Sequence, residues 1–179
     1  VGVVAPAAAA AAGATRNGRI GLIGTQASIR SGAYEALIHR EDPAVQVFAQ
    51  PCPLFVPLVE NGRFRPGDVV IETVVDEYLT PLEAAGVDTL VLGCTHYPLL
   101  EEVISARMGP SVRLVNAGAE GAREAAARLA EIGARTEKTE GGSCRWFVSD
   151  RQEDFSRLAS IFLGWDVTGA VGQVDISRY

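Results

Sequence analysis

Short apolar runs alternate with longer amphipathic stretches along this chain. Runs rich in Val, Ile and Leu predict buried strands, and stretches with apolar residues three and four positions apart predict helices. The apolar runs predict strands at residues 1–4, 19–24, 45–49, 88–93, 111–115, 144–148 and 172–176. The other stretches predict helices at residues 7–12, 25–38, 69–85, 122–132 and 151–162, with another that begins at Pro98. This alternation predicts an α/β fold with a doubly wound parallel sheet.

The predicted helix at residues 69–85 has a stripe of apolar side chains. Val70, Val74, Tyr78 and Leu82 recur at helical spacing, so we expect them to face the core. Pro81 is expected to bend or restart this helix near its end, because proline has no N–H group to donate.

The predicted elements divide unequally along the chain. Residues 1–114 hold about four strands, and we expect them to form a complete α/β domain. Residues 115–179 offer two strong strands and two helices, which are too few to close a core, so we expect a partial second α/β domain. The chain begins on Val1, in what reads as the middle of a strand, and we therefore expect the remainder of a longer polypeptide.

The stretch from Asp88 to Val103 carries the candidate chemistry. Cys94 follows the predicted strand directly, and Pro98 suits the first turn of a helix. Ligands of open α/β sheets bind beyond the carboxyl ends of the strands, and free N–H groups at a helix start stabilise an anion such as a thiolate. His96 is near enough to exchange a proton with the sulfur or with a substrate. The alternative is that Cys94 packs as a small apolar core residue, as most free cysteines do.

Two further positions carry weaker candidates. Thr25 follows Gly24, so a ligand can approach the backbone and meet a hydroxyl, although Thr at such a place is also a common helix cap. Glu60 ends an apolar run that follows a proline-rich loop, and its alternative is a solvated acid of a helix. Cys52, between two prolines, is expected to be buried rather than reactive.

Composition narrows the class of protein. The chain has 179 residues, 47% of them hydrophobic, which is enough for a substantial core. Its formal charge of −6, without a recurring basic patch, argues against a nucleic-acid partner. No apolar run is long enough to cross a membrane, and no basic signal-peptide region opens the chain. Three widely spaced cysteines indicate neither a disulfide framework nor a metal site, so a reducing cytoplasm is expected.

The segment GCTHYPLL at residues 93–100, together with several other segments, resembles the glutamate racemases of the aspartate/glutamate racemase superfamily. This segment is the most specific of them, because the aspartate-racemase branch typically carries an acid where His96 stands. The other matching segments are GLIGTQASI (21–29) with SGAY (31–34), PCPLFVPLVE (51–60), VNAGAE (115–120), FLG (162–164) and VDI (174–176).

The resemblance implies a cofactor-independent enzyme that inverts the α-carbon of glutamate and supplies D-glutamate for peptidoglycan, and hence for cell wall biogenesis and cell shape. In this family two cysteines work on opposite faces of the substrate, and the resemblance makes Cys94 one of them. It implies that His96 assists proton transfer, that Thr95 holds a substrate carboxylate or amine, and that Glu60 and Thr25 line the same site. Dimers are common in the family, so a homodimer is an expectation of the same kind.

One departure from the family pattern is large. The family's other cysteine lies in a Cys-Asn-Thr motif, with an Asp-Ser-Gly segment near the N-terminus, and neither occurs in this sequence. We therefore expect a chain without the N-terminal portion, with one of the two bases and impaired or absent activity. Two alternatives stay open: a non-catalytic racemase-like domain that binds a small carboxylate or a protein partner, and a cysteine hydrolase or lyase that uses Cys94 as nucleophile and His96 as base.

Overall fold

The computed structural model describes residues 1–178, with side chains through residue 177, as two compact units that divide between Arg135 and Thr136. The first unit holds α1 (Val4–Ala14), β1 (Arg19–Gly24), α2 (Gln26–Arg30), α3 (Ala33–Glu41), β2 (Gln46–Pro51), α4 (Phe55–Glu60), α5 (Val69–Ala84), β3 (Thr89–Leu92), a 3₁₀ helix (Tyr97–Leu100), α6 (Glu101–Met108), β4 (Arg113–Asn116) and α7 (Ala117–Glu131). The second holds β5 (Trp146–Val148), α8 (Gln152–Leu163), β6 (Val171–Gln173) and a 3₁₀ turn (Ile176–Arg178).

The first unit is built on a four-stranded parallel sheet in the order β2-β1-β3-β4, which confirms the predicted fold class. Ile23 of β1 is paired with Gln50 of β2 and with Leu92 of β3. The chain leaves β1 towards β2 on one side and leaves β3 towards β4 on the other. The carboxyl ends of β1 and β3 therefore flank the topological switch point, where open α/β sheets bind ligands.

Apolar side chains cover both faces of this sheet. One face packs on α5 and α6, with Ile71, Leu79 and Ile104 fully buried. The other face packs on α1 and α3. Residues 7–12 of α1 are a tract of six alanines, and three of their small side chains are fully buried: Ala7, Ala8 and Ala11. Small side chains let α1 lie close to the sheet, so the tract is a packing surface as well as a helix former.

The predicted strand at residues 1–4 is wrong. Residues 1–3 form no strand, and Val4 begins α1. Val1 and Val3 are 76% and 46% exposed, so this apolar run does not lie inside a sheet. The high helix propensity of the following alanines extends the helix back to Val4.

The predicted stripe of α5 is displaced by one residue. The buried positions are Ile71, Val75, Leu79 and Leu82, so only the last was predicted. Both sets recur at helical spacing, and packing against the sheet selects between them. Pro81 lies inside α5, which continues to Ala84 without a restart.

The two units divide further along the chain than the predicted division into 1–114 and 115–179. β4 pairs with β3, and α7 packs against α1, so residues 115–135 belong to the first unit. The second unit contains a two-stranded parallel sheet of β5 and β6, with α8 between them in sequence. None of the helices in residues 1–178 is long and apolar enough to cross a membrane.

Asp88, at the opposite edge of the sheet from the switch point, fixes the loop between α1 and β1. Its carboxylate accepts hydrogen bonds from the Thr15 hydroxyl at 2.6 Å and from the backbone N–H groups of Arg16 and Asn17 at 2.7 and 2.9 Å. Burial alone would raise the pKa of Asp88, but these hydrogen bonds outweigh it and hold the pKa below its usual value. The charged form is therefore stabilised by folding.

The Asp88→Asn variant is expected to lower the free energy of unfolding by about 1–2 kcal/mol at pH 7, since the amide cannot accept all of these bonds. The pKa of Asp88 is lower in the folded than in the unfolded state. The stabilisation that Asp88 provides is therefore complete above its pKa in the unfolded state, about 3.9, and is lost as the pH falls through its pKa in the folded state. Urea unfolding at several pH values measures this. Glu77→Gln, which neutralises an exposed carboxylate, is the control, and a loss that does not change with pH would contradict the prediction.

Candidate active site

Gly93 brings the carboxyl ends of β1 and β3 together. Its N–H donates to the carbonyl oxygen of Ile23 at 2.8 Å and so continues the pairing of the two strands by one residue. A Cβ at this position would lie 2.8 Å from the same oxygen, which is closer than real Cβ atoms approach, so the position requires glycine. Because Ile23 and Leu92 are in register, Thr25 and Cys94 emerge at the same level of the sheet edge.

Cys94 is partly exposed at this edge. Its sulfur lies 4.0 Å from Nδ1 of His96. The N–H of Tyr97 donates to the carbonyl of Cys94 at 3.2 Å and closes the turn between the two side chains. The predicted helix at Pro98 is a single 3₁₀ turn followed by α6, which begins at Glu101. The α-helix therefore begins several residues later than the sequence predicted.

Glu60 lies on the other side of the His96 ring. Its Oε1 is 3.1 Å from Nε2 of His96, although the two residues are 36 positions apart in the sequence. When the carboxylate accepts a hydrogen bond from Nε2–H, Nδ1 is left as the acceptor that faces Cys94. The two side chains are 41% and 20% exposed, so this pair orients the imidazole more than it stabilises the fold. The structure thus brings the predicted residues Cys94, His96 and Glu60 together.

The two predicted threonines have different surroundings. Thr95 is exposed, with its hydroxyl 3.3 Å from Nδ1 of His96. Thr25 caps α2, because its hydroxyl oxygen accepts the N–H of Ser28 at 3.2 Å and lies 3.0 Å from the Ser28 hydroxyl. The cap interpretation of Thr25 is therefore satisfied by the structure. A role in substrate binding stays a prediction for both residues.

The other cysteines have settings unlike that of Cys94. Cys52 is fully buried and its thiol donates to the carbonyl of Gln50 at 3.6 Å. Burial raises the pKa of the Cys52 thiol, so it is inert at neutral pH, as its neighbouring prolines predicted. Cys144 is exposed and belongs to the second unit. In the part of the chain that the structure describes, no cluster of three or more His, Cys, Asp or Glu side chains is placed to hold a metal ion.

Two tyrosines at the site were not singled out from the sequence. The hydroxyl of Tyr97 donates to the carbonyl oxygen of Cys52 at 3.0 Å, and its ring meets that of Phe55 edge to face at 5.2 Å. It thereby joins the turn that carries His96 to α4, which carries Glu60. Burial raises the pKa of Tyr97, with smaller effects of Cys52 and Cys94, so the phenol stays neutral. Tyr34, the second, contacts Gly93. Both tyrosines lie in segments that carry the family resemblance, but their contacts join residues far apart in the sequence and so leave no local pattern.

Fold and site together define a parallel α/β protein with a thiol, an imidazole and a carboxylate at the switch point of its sheet. The family model described as Asp/Glu/Hydantoin racemase matches residues 1–125. The chain belongs to the Asp/Glu/Hydantoin racemase family, which confirms the resemblance found in its sequence motifs.

Individual relatives are glutamate racemases. The chain is 46% identical to the glutamate racemase of Geobacter metallireducens over 98% of its own length and 64% of that protein, and 41% identical to that of Lactiplantibacillus plantarum over 92% and 60%. Among solved structures, a glutamate racemase isoform of Bacillus anthracis has a TM-score of 0.88 at 34% identity, covering 98% of this chain and 64% of that one. The enzyme of Francisella tularensis in complex with D-glutamate has a TM-score of 0.85 at 27% identity, covering 99% and 64%. The chain thus spans less than two thirds of the length of these relatives.

Proposed function

We propose that this chain carries one of the two thiol bases of a cofactor-independent glutamate racemase, an enzyme that interconverts L- and D-glutamate. The observation that carries the proposal is the partly exposed Cys94 at the switch point, with the His96 ring 4.0 Å away and Glu60 behind that ring. Further support comes from solved relatives, of which one holds D-glutamate and another, from Thermus thermophilus, holds β-chloro-D-alanine. In the proposed setting the D-glutamate is made in the cytoplasm and is used for peptidoglycan.

The proposed chemistry begins with formation of a thiolate. Nδ1 of His96 takes the proton of the Cys94 thiol, and Glu60 stabilises the resulting imidazolium through Nε2. The thiolate then removes the α-hydrogen of glutamate as a proton, so an S–H bond forms and the electron pair of the C–H bond stays on the α-carbon and its carboxylate. Inversion requires a second acid that returns a proton to the opposite face. Cys52 is unsuited to that step because it is fully buried.

The proposal assigns substrate contacts to the two threonines. Thr95 and Thr25 lie just beyond the same edge of the sheet as Cys94. Hydroxyl groups there can bind a carboxylate or an ammonium group of the substrate. An α-hydrogen is feebly acidic, so fixed donors near the developing negative charge are needed to lower the barrier.

The experiment that tests this proposal is hydrogen exchange in heavy water. The 179-residue chain is incubated with L-glutamate or D-glutamate in D₂O, and loss of the α-hydrogen signal is followed by proton NMR while optical rotation is recorded. We expect exchange of one enantiomer with little inversion, because a single thiol returns deuterium to the face from which it removed the proton.

Each other result contradicts part of the proposal. Rapid inversion would show that the chain contains both bases. Glutamate binding in calorimetry without any exchange would favour a non-catalytic domain that binds a small carboxylate.

A thiol hydrolase is the second candidate, because one observation favours it. In space, the His96 ring lies between the Cys94 thiol and the Glu60 carboxylate. Enzymes that form thioesters arrange a nucleophile, a base and an orienting acid in the same way. Mass spectrometry distinguishes the two functions: an acyl adduct trapped on Cys94 with an activated ester substrate, together with absent α-hydrogen exchange, would favour the hydrolase.

A further inference from the structure

Tyr34 lies against the residue that precedes Cys94. It is in the first turn of α3, which begins at the carboxyl edge of the sheet shortly after β1. A Cβ on Gly93 would lie 3.3 Å from Cε2 of Tyr34, so the ring packs against the backbone of Gly93. Only 5% of the surface of Tyr34 is exposed. The ring is therefore fixed one residue away from the candidate base.

The hydroxyl of Tyr34 has no hydrogen-bond partner within residues 1–178. Buried tyrosine hydroxyls normally have one, because losing water without a replacement costs free energy. Every fully enclosed side-chain nitrogen or oxygen in the described part of this chain does have a partner. The hydroxyl is therefore the part of Tyr34 that still reaches solvent, at the end of an otherwise enclosed side chain.

The surroundings keep this hydroxyl protonated. Burial raises the pKa of Tyr34, and the charge of the Cys94 thiolate raises it further. The phenol is thus a neutral donor beside a potential anion. Tyr34 and Cys94 interact through space without a hydrogen bond to each other, so the hydroxyl is free to donate to a bound ligand.

We propose that the Tyr34 hydroxyl donates a hydrogen bond to the α-carboxylate of a glutamate whose α-hydrogen faces Cys94. The inference rests on the proposed function and adds a substrate-binding residue to it. Next to the α-carbon stand an ammonium group and a carboxylate, and only the carboxylate can accept from a phenol. When the α-proton moves to the sulfur, the electron pair of the broken C–H bond spreads onto that carboxylate, where a fixed donor stabilises it.

Protection of Cys94 from alkylation tests this proposal without requiring turnover. The full chain carrying Cys144→Ser, which removes the exposed thiol, is treated with iodoacetamide at increasing glutamate concentrations, and labelling of Cys94 is followed by mass spectrometry. Tyr34→Phe keeps the ring and removes the hydroxyl. We expect the half-protecting glutamate concentration to rise about tenfold, as loss of a hydrogen bond to a charged group predicts. The alkylation rate without glutamate should change less than about twofold.

Two matched comparisons locate the effect. Thr73→Val removes an exposed hydroxyl of α5, which donates to the carbonyl oxygen of Val69 within the same helix, and should leave protection unchanged. With 4-aminobutyrate, which lacks the α-carboxylate, the Tyr34→Phe and parent chains should give equal half-protecting concentrations. A difference that persists with 4-aminobutyrate would overturn the assignment to the α-carboxylate.

The remaining outcomes separate this inference from the proposed function. Equal protection by glutamate in the parent and in Tyr34→Phe would overturn the role of Tyr34 and leave the proposed function standing. Absence of protection in the parent would overturn glutamate as the ligand, and the inference with it. Because the hydroxyl has no partner to lose, Tyr34→Phe should match the parent in circular dichroism and in its thermal midpoint. A lowered midpoint would show that the hydroxyl serves folding, which contradicts the inference.

Discussion

Replacing Cys94 with alanine is expected to abolish exchange of the α-hydrogen of glutamate. The thiolate is the group that accepts the proton, and the methyl group of alanine can neither accept nor return one. Removal of a positioned general base typically costs two to four powers of ten in rate. We expect a loss of at least about 10³-fold, which brings the rate to the limit of NMR detection.

The control for this variant is the exposed cysteine of the second unit. Cys144→Ala removes a free thiol that is more exposed than that of Cys94, and it should leave the exchange rate unchanged. Glutamate binding, measured by calorimetry, should survive in Cys94→Ala within a few-fold, because the change removes one sulfur atom and no charge-pairing group. Exchange that continues at the parent rate in Cys94→Ala would contradict both the prediction and the proposed function.

The second large effect is expected from Gly93→Ala, which adds a single methyl group. Its Cβ would lie 2.8 Å from the carbonyl oxygen of Ile23, and 3.2 and 3.3 Å from Leu22 and Tyr34. The two backbones would have to separate, and overpacking of this kind costs about 1–3 kcal/mol. For a chain of this size, that corresponds to a fall of about 2–12 °C in the thermal midpoint. Because the hydrogen bond from Gly93 N–H sets the position of Cys94, exchange should fall together with stability.

Gly13→Ala is the matched control for this substitution. Gly13 lies in α1, and a Cβ there meets nothing within 4 Å. Alanine is a better helix former than glycine by about 1 kcal/mol, so this variant should be as stable as the parent or more stable. Thermal unfolding by circular dichroism measures both variants. A Gly93→Ala chain that unfolds at the parent temperature and labels at Cys94 with the parent rate would show that the strands accommodate the methyl group.

Local patterns predicted the elements of the sheet well. The apolar runs that became β1, β3 and β4 are short and bounded by turn residues, so their placement needs no knowledge of distant contacts. The run at residues 1–4 is also apolar, but its first three residues lie exposed ahead of α1, which begins at Val4. In α5 two apolar stripes compete, and the choice of the one that includes Ile71 depends on the sheet beneath it.

The candidate site was likewise only partly predictable from the sequence. The sequence determined that a cysteine follows a strand and that His96 stands two residues later, because both facts are local. The resemblance to a family pointed to Glu60, but its 3.1 Å contact with His96 depends on how α4 packs. The hydroxyl of Tyr34, at the end of an otherwise buried side chain, gave no sequence signal at all.

By itself, the sequence determined the parallel α/β class and the chemical identity of the candidate base. Only the tertiary structure decided which strand ends meet, which ring nitrogen faces the sulfur, and which tyrosine hydroxyl has no partner among residues 1–178. The physical reason is that secondary structure follows from side chains close together along the chain. A reactive site depends on distances between residues tens of positions apart, and these are set only when the sheet and its helices pack.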